Sequence, residues 1–336
     1  MATRPAGKGA VTGQTRRGMF HQLKTGPAGL YWRAWRYRDM EIARMIQRNL
    51  RTIETEVHPK NGGLELPRFG IVLDPKRHED ILRAIPVLLA LQRNANATFA
   101  IPKERLLEVN IRGLTLTTEV IQNIEIIDEV FAKQIYQLEC PRDAFVWDVG
   151  GNVGFSAVYF ASKGWNVRCY EPFPQNAELA KVNIERNNLT DRIEWIVAGL
   201  AAKPRTETLV YHKQRSGSDG LFGNPQSDPG PGEPTPVTLL DPVEEFKTAL
   251  KQAGGRILVA KIDCEGAEYE ILRALRSQGL LEKIGVLMIE IHELPHEDFA
   301  EPKRFLQEAG MLITKEEAPG PDLRILTAVG AHWSKQ

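Results

Sequence analysis

The sequence predicts an α/β protein: a doubly wound, mostly parallel sheet with an antiparallel last strand, preceded by an N-terminal, mainly helical extension. Three observations lead there. From residue 144 onward, short apolar runs alternate with segments rich in helix formers, the rhythm of βαβ units. The first of those runs ends in a group of glycines, where a strand of such a sheet meets its ligand. The last two runs, Met311–Lys315 and Leu323–Ala328, are joined only by Glu316–Asp322, too short for a crossover, so they must pair antiparallel.

Composition agrees with that class. The chain has 336 residues, which suggests about two structural units. Hydrophobic residues make up 42% and charged residues 26%, which excludes a wholly disordered chain and leaves enough apolar material for a core. No apolar stretch approaches the length of a membrane span, and the N-terminus has no apolar signal region. Cys140, Cys169 and Cys264 form no CxxC pair, so neither a zinc site nor a disulfide framework is expected. Buried thiols in a reducing, cytoplasmic setting are.

The net charge of zero conceals an asymmetry. Residues 1–50 carry ten Lys and Arg against Asp39 and Glu41, a balance of +8, and the remainder carries −8. Tyr31, Trp32, Trp35 and Tyr37 lie inside this basic arm. Such a mixture suits nucleic acid or an anionic membrane surface, and it equally suits a helix that docks its aromatic side and solvates its arginines; the second reading is favoured. Residues 1–18 are expected to be a disordered basic tail and residues 19–100 a helical N-terminal extension. Residues 101–140 are expected to form a lead-in hairpin and helix, and residues 141–336 the ligand-binding domain.

In order along the chain, residues 28–56 show helical spacing of apolar residues, and residues 64–73 suit a short strand. Residues 76–93 read as helix, kinked or split at Pro86. Arg105–Thr117 alternates around Gly113 as a hairpin, and residues 126–138 follow as helix. Strands are then expected at residues 144–149, Asn166–Tyr170, Ile193–Val197, Ile257–Ile262 and Val286–Ile291. Helices are expected at Ser156–Lys163, Asn176–Asn187, Pro242–Gln252, Glu268–Ser277 and residues 302–309. Residues 216–236, rich in Gly, Pro and Ser, read as one long loop of the kind that serves as a lid.

The first strand runs into Asp148-Val149-Gly150-Gly151-Asn152-Val153-Gly154, a turn that approaches a ligand closely. The second ends in Glu171-Pro172, an acid placed to accept ribose hydroxyls. The dinucleotide fingerprint fails, because its third and sixth positions are Asn152 and Phe155. A nucleoside without pyrophosphate fits better. S-adenosylmethionine carries an amino acid at that place, and Asp148 suits its ammonium.

These motifs resemble the S-adenosylmethionine site of class I methyltransferases, which are Rossmann-like, and in particular the FkbM family. The resemblance continues through Tyr170–Asn176, Leu240-Asp241, the run Lys261-Ile262-Asp263-Cys264-Glu265-Gly266-Ala267-Glu268-Tyr269, and Glu290-Ile291-His292. Ile127–Tyr136 is similar to the family's acidic lead-in helix. The resemblance spans about residues 110–295 and implies a methyltransferase acting on a hydroxyl of a sugar or natural product. The expected cofactor is S-adenosylmethionine, bound by Asp148, Gly150, Gly151, Asn152, Gly154, Glu171, Pro172, Asn176 and Ala198. A small-molecule or glycan acceptor is the expected partner, with homo-oligomerisation an open alternative.

Methyl transfer to an alcohol needs donor and acceptor in line and a base for the departing proton. Asp263, Glu265 and His292 are the candidates, Glu265 and His292 foremost, with Lys261 holding the carboxylates. Glu268 and Glu290 stand nearby. No metal is expected, although Asp263, Glu265 and Glu290 offer oxygen ligands for one. Competing readings are a non-catalytic S-adenosylmethionine-binding scaffold, a nicotinamide oxidoreductase, and a methyltransferase that engages RNA or lipid through residues 1–50. His292-Glu293-Leu294-Pro295-His296 satisfies H-E-x-x-H. That motif acts only on a helix, and Pro295 opposes one.

Overall fold

The computed structural model describes residues 58–60, 63–74, 77–102, 106–118, 121–138, 143–213 and 232–331, with Met40 and Arg44. The expectations for the basic tail, for the helical stretch over 28–56 apart from those two residues, and for the lid segment up to residue 231 lie outside the described residues. The chain divides into two compact units, Met1–Leu89 with Phe99–Leu107, and Ala90–Thr98 with Glu108–Gln336.

In the first unit β1 (His58–Lys60), β2 (Gly63–Leu66) and β3 (Ile71–Leu73) form an antiparallel meander. Leu64, Leu66, Ile71 and Leu73 are buried on alternate positions, the period that makes these residues strand rather than helix. The helix read over 76–93 is split into α1 (Glu79–Arg83) and α2 (Ile85–Ala95). The break falls at Ala84, and Pro86 takes the second position of α2, where its missing N–H needs no partner. The division between the units falls within α2 and within β4 (Thr98–Ala100).

The second unit holds the predicted architecture. It opens with the hairpin β5 (Leu107–Ile111) and β6 (Leu114–Thr118), then α3 (Ile121–Ile127), which continues into a π turn, Asp128–Ala132. The lead-in helix thus starts earlier and ends earlier than expected. Its last turn is widened: the Lys133 N–H reaches the carbonyl of Asp128.

Strands and helices then alternate: β7 (Ala144–Val149), α4 (Phe155–Ser162), β8 (Asn166–Tyr170), α5 (Pro174–Arg186) and β9 (Ile193–Ile196). After three further strands come α6 (Pro242–Ala253), β13 (Ile257–Ile262), α7 (Glu268–Ser277), β14 (Val286–His292), α8 (Glu301–Glu308), β15 (Leu312–Gly320) and β16 (Leu323–Val329). The sheet order is β15-β16-β14-β13-β7-β8-β9. Strands β14 to β9 run parallel, and β16 lies antiparallel to both its neighbours. The strand order reverses direction at β7, so the carboxyl ends of β7, β8 and β13 frame the crevice where ligands bind in such sheets.

Strand β7 is buried along its whole length because helices cover both faces, and Trp147 anchors one side between Tyr170 and Phe246. Asp241 ends the Leu240-Asp241 motif as the N-cap of α6, accepting from the Val243 N–H at 2.8 Å. On the other face, Asn183 of α5 and Asn187, its C-cap, bind the backbone of β6. Asn183 Oδ1 accepts from Thr117 N at 2.7 Å and Asn187 Oδ1 from Thr115 N at 2.9 Å, while their amide nitrogens donate to carbonyls of the same residues. The side chains take the place of a neighbouring strand, satisfying an otherwise open edge.

The three further strands, β10 (Gly199–Leu200), β11 (Arg205–Tyr211) and β12 (Glu233–Leu240), form a second small sheet in the order β10-β12-β11, absent from the sequence reading. Residues 233–236, expected as loop, belong to β12. Pro234 and Pro236 fit because β10 pairs with β12 only at Leu239 and Leu240, so their donor-less side meets no ladder. No helix among the described residues is long and apolar enough to cross a membrane.

Candidate active site

The carboxyl ends of β7, β8, β13 and β14 open into a cavity of about 390 Å³, to which α3 and its π turn contribute Glu125, Glu129 and Val130. The volume suits a nucleoside-sized ligand with a small partner.

One side of the cavity is the glycine turn after β7. Gly150 stands at φ +88°, and a Cβ there would overlap the carbonyl oxygen of Asp263. At Gly151 a Cβ would strike the Cys169 sulfur and come within 2.8 Å of Trp195. Gly154 caps α4 at φ +86°. The Asn152 N–H donates to Glu171 Oε2 at 2.9 Å. Both amide atoms of the Asn152 side chain are buried with no protein partner.

Glu171 is buried at the end of β8. Its Oε1 accepts from Phe173 N at 3.1 Å and from Asn176 Nδ2 at 3.0 Å. Burial pushes its carboxyl up to about 7, against those three hydrogen bonds. Asn176 is thus placed behind Glu171 and receives a hydrogen bond from the Tyr211 hydroxyl at 3.3 Å; it is a positioning residue rather than a wall of the cavity. Pro172 lines the cavity. Ala198 does not, and its neighbours Gly199 and Leu200 do.

The floor is ionic. Asp148 is wholly buried, accepts from Ser156 Oγ at 2.7 Å and faces Lys261 Nζ at 3.5 Å. Burial lifts its carboxyl above the ordinary range while Lys261 opposes the shift. Asp148 is therefore engaged by the protein's own side chains. Lys261 donates to the Gly150 carbonyl at 2.6 Å and pairs with Asp263 at 3.4 Å, so it clamps the glycine turn to the end of β13. Burial alone would lower the Lys261 ammonium. The charges of Asp263, Asp148 and Glu290 override it and hold the group well above its usual value.

The ends of β13 and β14 gather the predicted catalytic residues. Asp263, Glu265 and His292 each place a ligand atom within 4.8 Å of the others. The two carboxylates, two residues apart, do not converge by strand alternation. The strand ends at Ile262, and the chain turns through Glu265 at φ +54° and Gly266 at φ +108°. Glu265 Oε2 lies 3.5 Å from His292 Nε2. His292 Nδ1 meets Glu268 Oε1 at 3.1 Å, and the same oxygen accepts from Cys264 N. The Tyr269 hydroxyl donates to the His292 carbonyl at 2.9 Å. Burial would lower the His292 imidazole, but the hydrogen bond and charge of Glu268, with Glu265 and Asp263, push it up to about 10. Burial and the Asp263 charge push Glu290 up to about 8. His292 ends a strand, so no H-E-x-x-H helix exists here.

Residues 148–313, which supply all of this apart from α3 and its π turn, match the model of the methyltransferase FkbM domain. This region is similar to the methyltransferase FkbM domain. Over 215 residues the chain is 25% identical to Methyltransferase 1 of Beauveria bassiana, covering 59% of this chain and 85% of that protein. It is 26% identical over 219 residues to the AMB antimetabolite synthetase AmbE of Pseudomonas aeruginosa, covering 54% of this chain and a tenth (10%) of that protein. A solved structure of a putative tRNA (m1A22) methyltransferase from Streptococcus pneumoniae, in complex with S-adenosyl-L-methionine, is similar at 17% identity and a TM-score of 0.34, over 56% of this chain and 67% of that one.

The methyl donor is S-adenosylmethionine, and the residues of this region fit it. Glu171 is a buried carboxylate at the end of β8, Asn152 offers an amide with both atoms unpartnered, and the glycine turn leaves no side chain in the way.

Proposed function

We propose that the chain transfers the methyl group of S-adenosylmethionine to a hydroxyl oxygen of a sugar or natural-product acceptor. The observation that carries this reading is a cavity with two chemically distinct sides: a glycine turn with Glu171 on one, and Asp263, Glu265 and His292 on the other. S-adenosylmethionine supplies a methyl group activated by a positively charged sulfonium. On the first side Glu171 holds the ribose hydroxyls, and Gly150 and Gly151 let the backbone lie against the ligand. On the second side Glu265 receives the acceptor's proton. His292, held toward the imidazolium form by Glu268, is its charge partner rather than the proton acceptor itself. Lys261 fixes the distance between the two sides, because it bonds Gly150 and pairs with Asp263. Holding donor and acceptor in line lowers the barrier by roughly 7–11 kcal/mol. A natural-product acceptor is supported by the partial match to an antimetabolite synthetase.

The test is a metabolite extract from a strain lacking the gene, incubated with the purified protein and methyl-labelled S-adenosylmethionine. A labelled product whose label sits on oxygen supports the reading. Label on nitrogen, or none at all from a protein that binds the donor, overturns it.

A further inference from the structure

We propose that Asp263, Glu265 and His292 form a binding site for one divalent cation of the Mn²⁺ or Zn²⁺ class, with its open positions facing the acceptor side of the cavity. The task assigned to the ion rests on the methyl-transfer reading above; its existence does not.

The three donors come from two separate elements, the turn after β13 and the end of β14, and meet within 4.8 Å. All three are half-buried, reachable from the cavity yet held by the core. Donor atoms around a tetrahedral ion bound at roughly 2.1 Å stand about 3.4 Å apart. Glu265 Oε2 and His292 Nε2 are 3.5 Å apart. Two carboxylate oxygens and one imidazole nitrogen suit Mn²⁺ or Zn²⁺ better than Mg²⁺ or Ca²⁺, which prefer oxygen alone.

A second observation lies outside the trio. Glu268 is fully buried, and its Oε1 faces His292 Nδ1 at 3.1 Å. With a proton on Nδ1 donated to Glu268, His292 can offer Nε2, the nitrogen nearer Glu265, to the ion once the Nε2 proton is displaced. A carboxylate behind the imidazole is the arrangement that orients metal-binding histidines and raises their basicity. The other oxygen of the same carboxylate, Oε2, is buried with no hydrogen-bond partner, so its charge is left for the site to balance. The neighbouring ammonium, Lys261, is engaged by Gly150, Asp148 and Asp263. The ion takes the place of the Nε2 proton and completes the balance.

In the reaction, the acceptor hydroxyl binds at an open position of the ion, which makes its proton more acidic. The O–H bond gives its proton to the Glu265 oxygen that the ion does not use. The oxygen forms a bond to the methyl carbon as the carbon–sulfur bond breaks, and the sulfonium becomes a neutral thioether. The proton then passes to water.

The test uses the full chain, freed of metal with EDTA, and Mn²⁺ followed by electron paramagnetic resonance. One ion should bind per chain, with electron–nuclear coupling to an imidazole nitrogen. Glu265→Gln and His292→Ala should each weaken binding by at least about tenfold, and Glu268→Gln by roughly 10–100-fold although it is not a ligand. Absence of binding up to about 1 mM, absence of nitrogen coupling in the unmodified protein, or equal affinity in folded variants overturns the proposal. S-adenosylmethionine is titrated in parallel. Donor binding and methyl transfer unaffected by EDTA overturn the task assigned to the ion, whereas failure to bind the donor sinks the methyl-transfer reading and leaves the Mn²⁺ result standing.

Discussion

The backbone of Gly150 passes so close to Asp263 that a Cβ on the glycine would overlap the Asp263 carbonyl oxygen. The obstacle is backbone, so no rotamer change relieves it, and φ +88° already disfavours any side chain. Gly150→Ala and Gly150→Val should therefore push β7 and β13 apart at their carboxyl ends. The expected result is loss of S-adenosylmethionine binding by at least about tenfold, with a native far-UV circular dichroism spectrum. Binding at parental strength would show that the turn does not approach the ligand.

Glu171 makes donor binding depend on pH. Its folded-state value of about 7 lies above its ordinary 4.5, so the ligand-free fold holds this proton more tightly than the unfolded chain does. The group's contribution to ligand-free stability is thus most favourable below about 4.5 and declines as pH rises toward 7. Binding runs the other way, because the ionised carboxylate is the better acceptor for ribose hydroxyls. Affinity for the donor, measured calorimetrically, should fall about tenfold from pH 8 to pH 6. Glu171→Ala should lower it by one to two orders of magnitude at pH 8, the cost of about 1–3 kcal/mol for unpaired buried hydroxyls, and flatten the slope. A flat profile in the unmodified protein would remove Glu171 from the ribose.

Glu265 and His292 should separate chemistry from binding. Neither lies on the glycine-turn side, so Glu265→Gln and His292→Ala should leave donor affinity within about twofold and lower kcat by roughly 10²–10⁴-fold. If both variants turn over within a few-fold of the parent, positioning alone carries the reaction.

Glu268 should matter twice. Its Oε1 serves both His292 Nδ1 and the Cys264 N–H inside the core. Glu268→Ala leaves two buried donors unpaired, a loss of about 1–3 kcal/mol, or roughly 2–6 °C in Tm. Glu268→Gln keeps an oxygen for one of them and should recover part of the stability while kcat stays low. Equal kcat in Glu268→Gln and the parent would mean that the His292 ring needs no such support.

The parts of the fold that were legible in the sequence are those fixed by local apolar pattern. Strand Ile257–Ile262 and helix Glu268–Ser277 stand where the periodicity puts them, because one is buried on both faces and the other has one apolar stripe. Arg205–Tyr211 is exposed along much of its length and offers little such contrast, so β11 and its small sheet escape a reading of pattern alone. Within the site, single residues at strand ends were visible, while relations between distant segments were not. Asn176 was read as a ligand contact through the resemblance of Tyr170–Asn176 to a cofactor site; in the fold it donates to Glu171 and is met by Tyr211, thirty-five residues away. The pairing of Glu268 with His292 joins residues 24 apart, and the convergence of Asp263 with Glu265 depends on a left-handed Glu265 that no residue preference announces.

The π turn at Asp128–Ala132 puts its own side chains into the cavity. Such a turn is an α-helix holding one residue more than its regular hydrogen bonds accommodate. The widened turn is where Glu129 and Val130 enter the cavity wall. Deleting one residue there would restore a regular helix and turn both side chains to new directions, so the length of a single helix sets the shape of this wall.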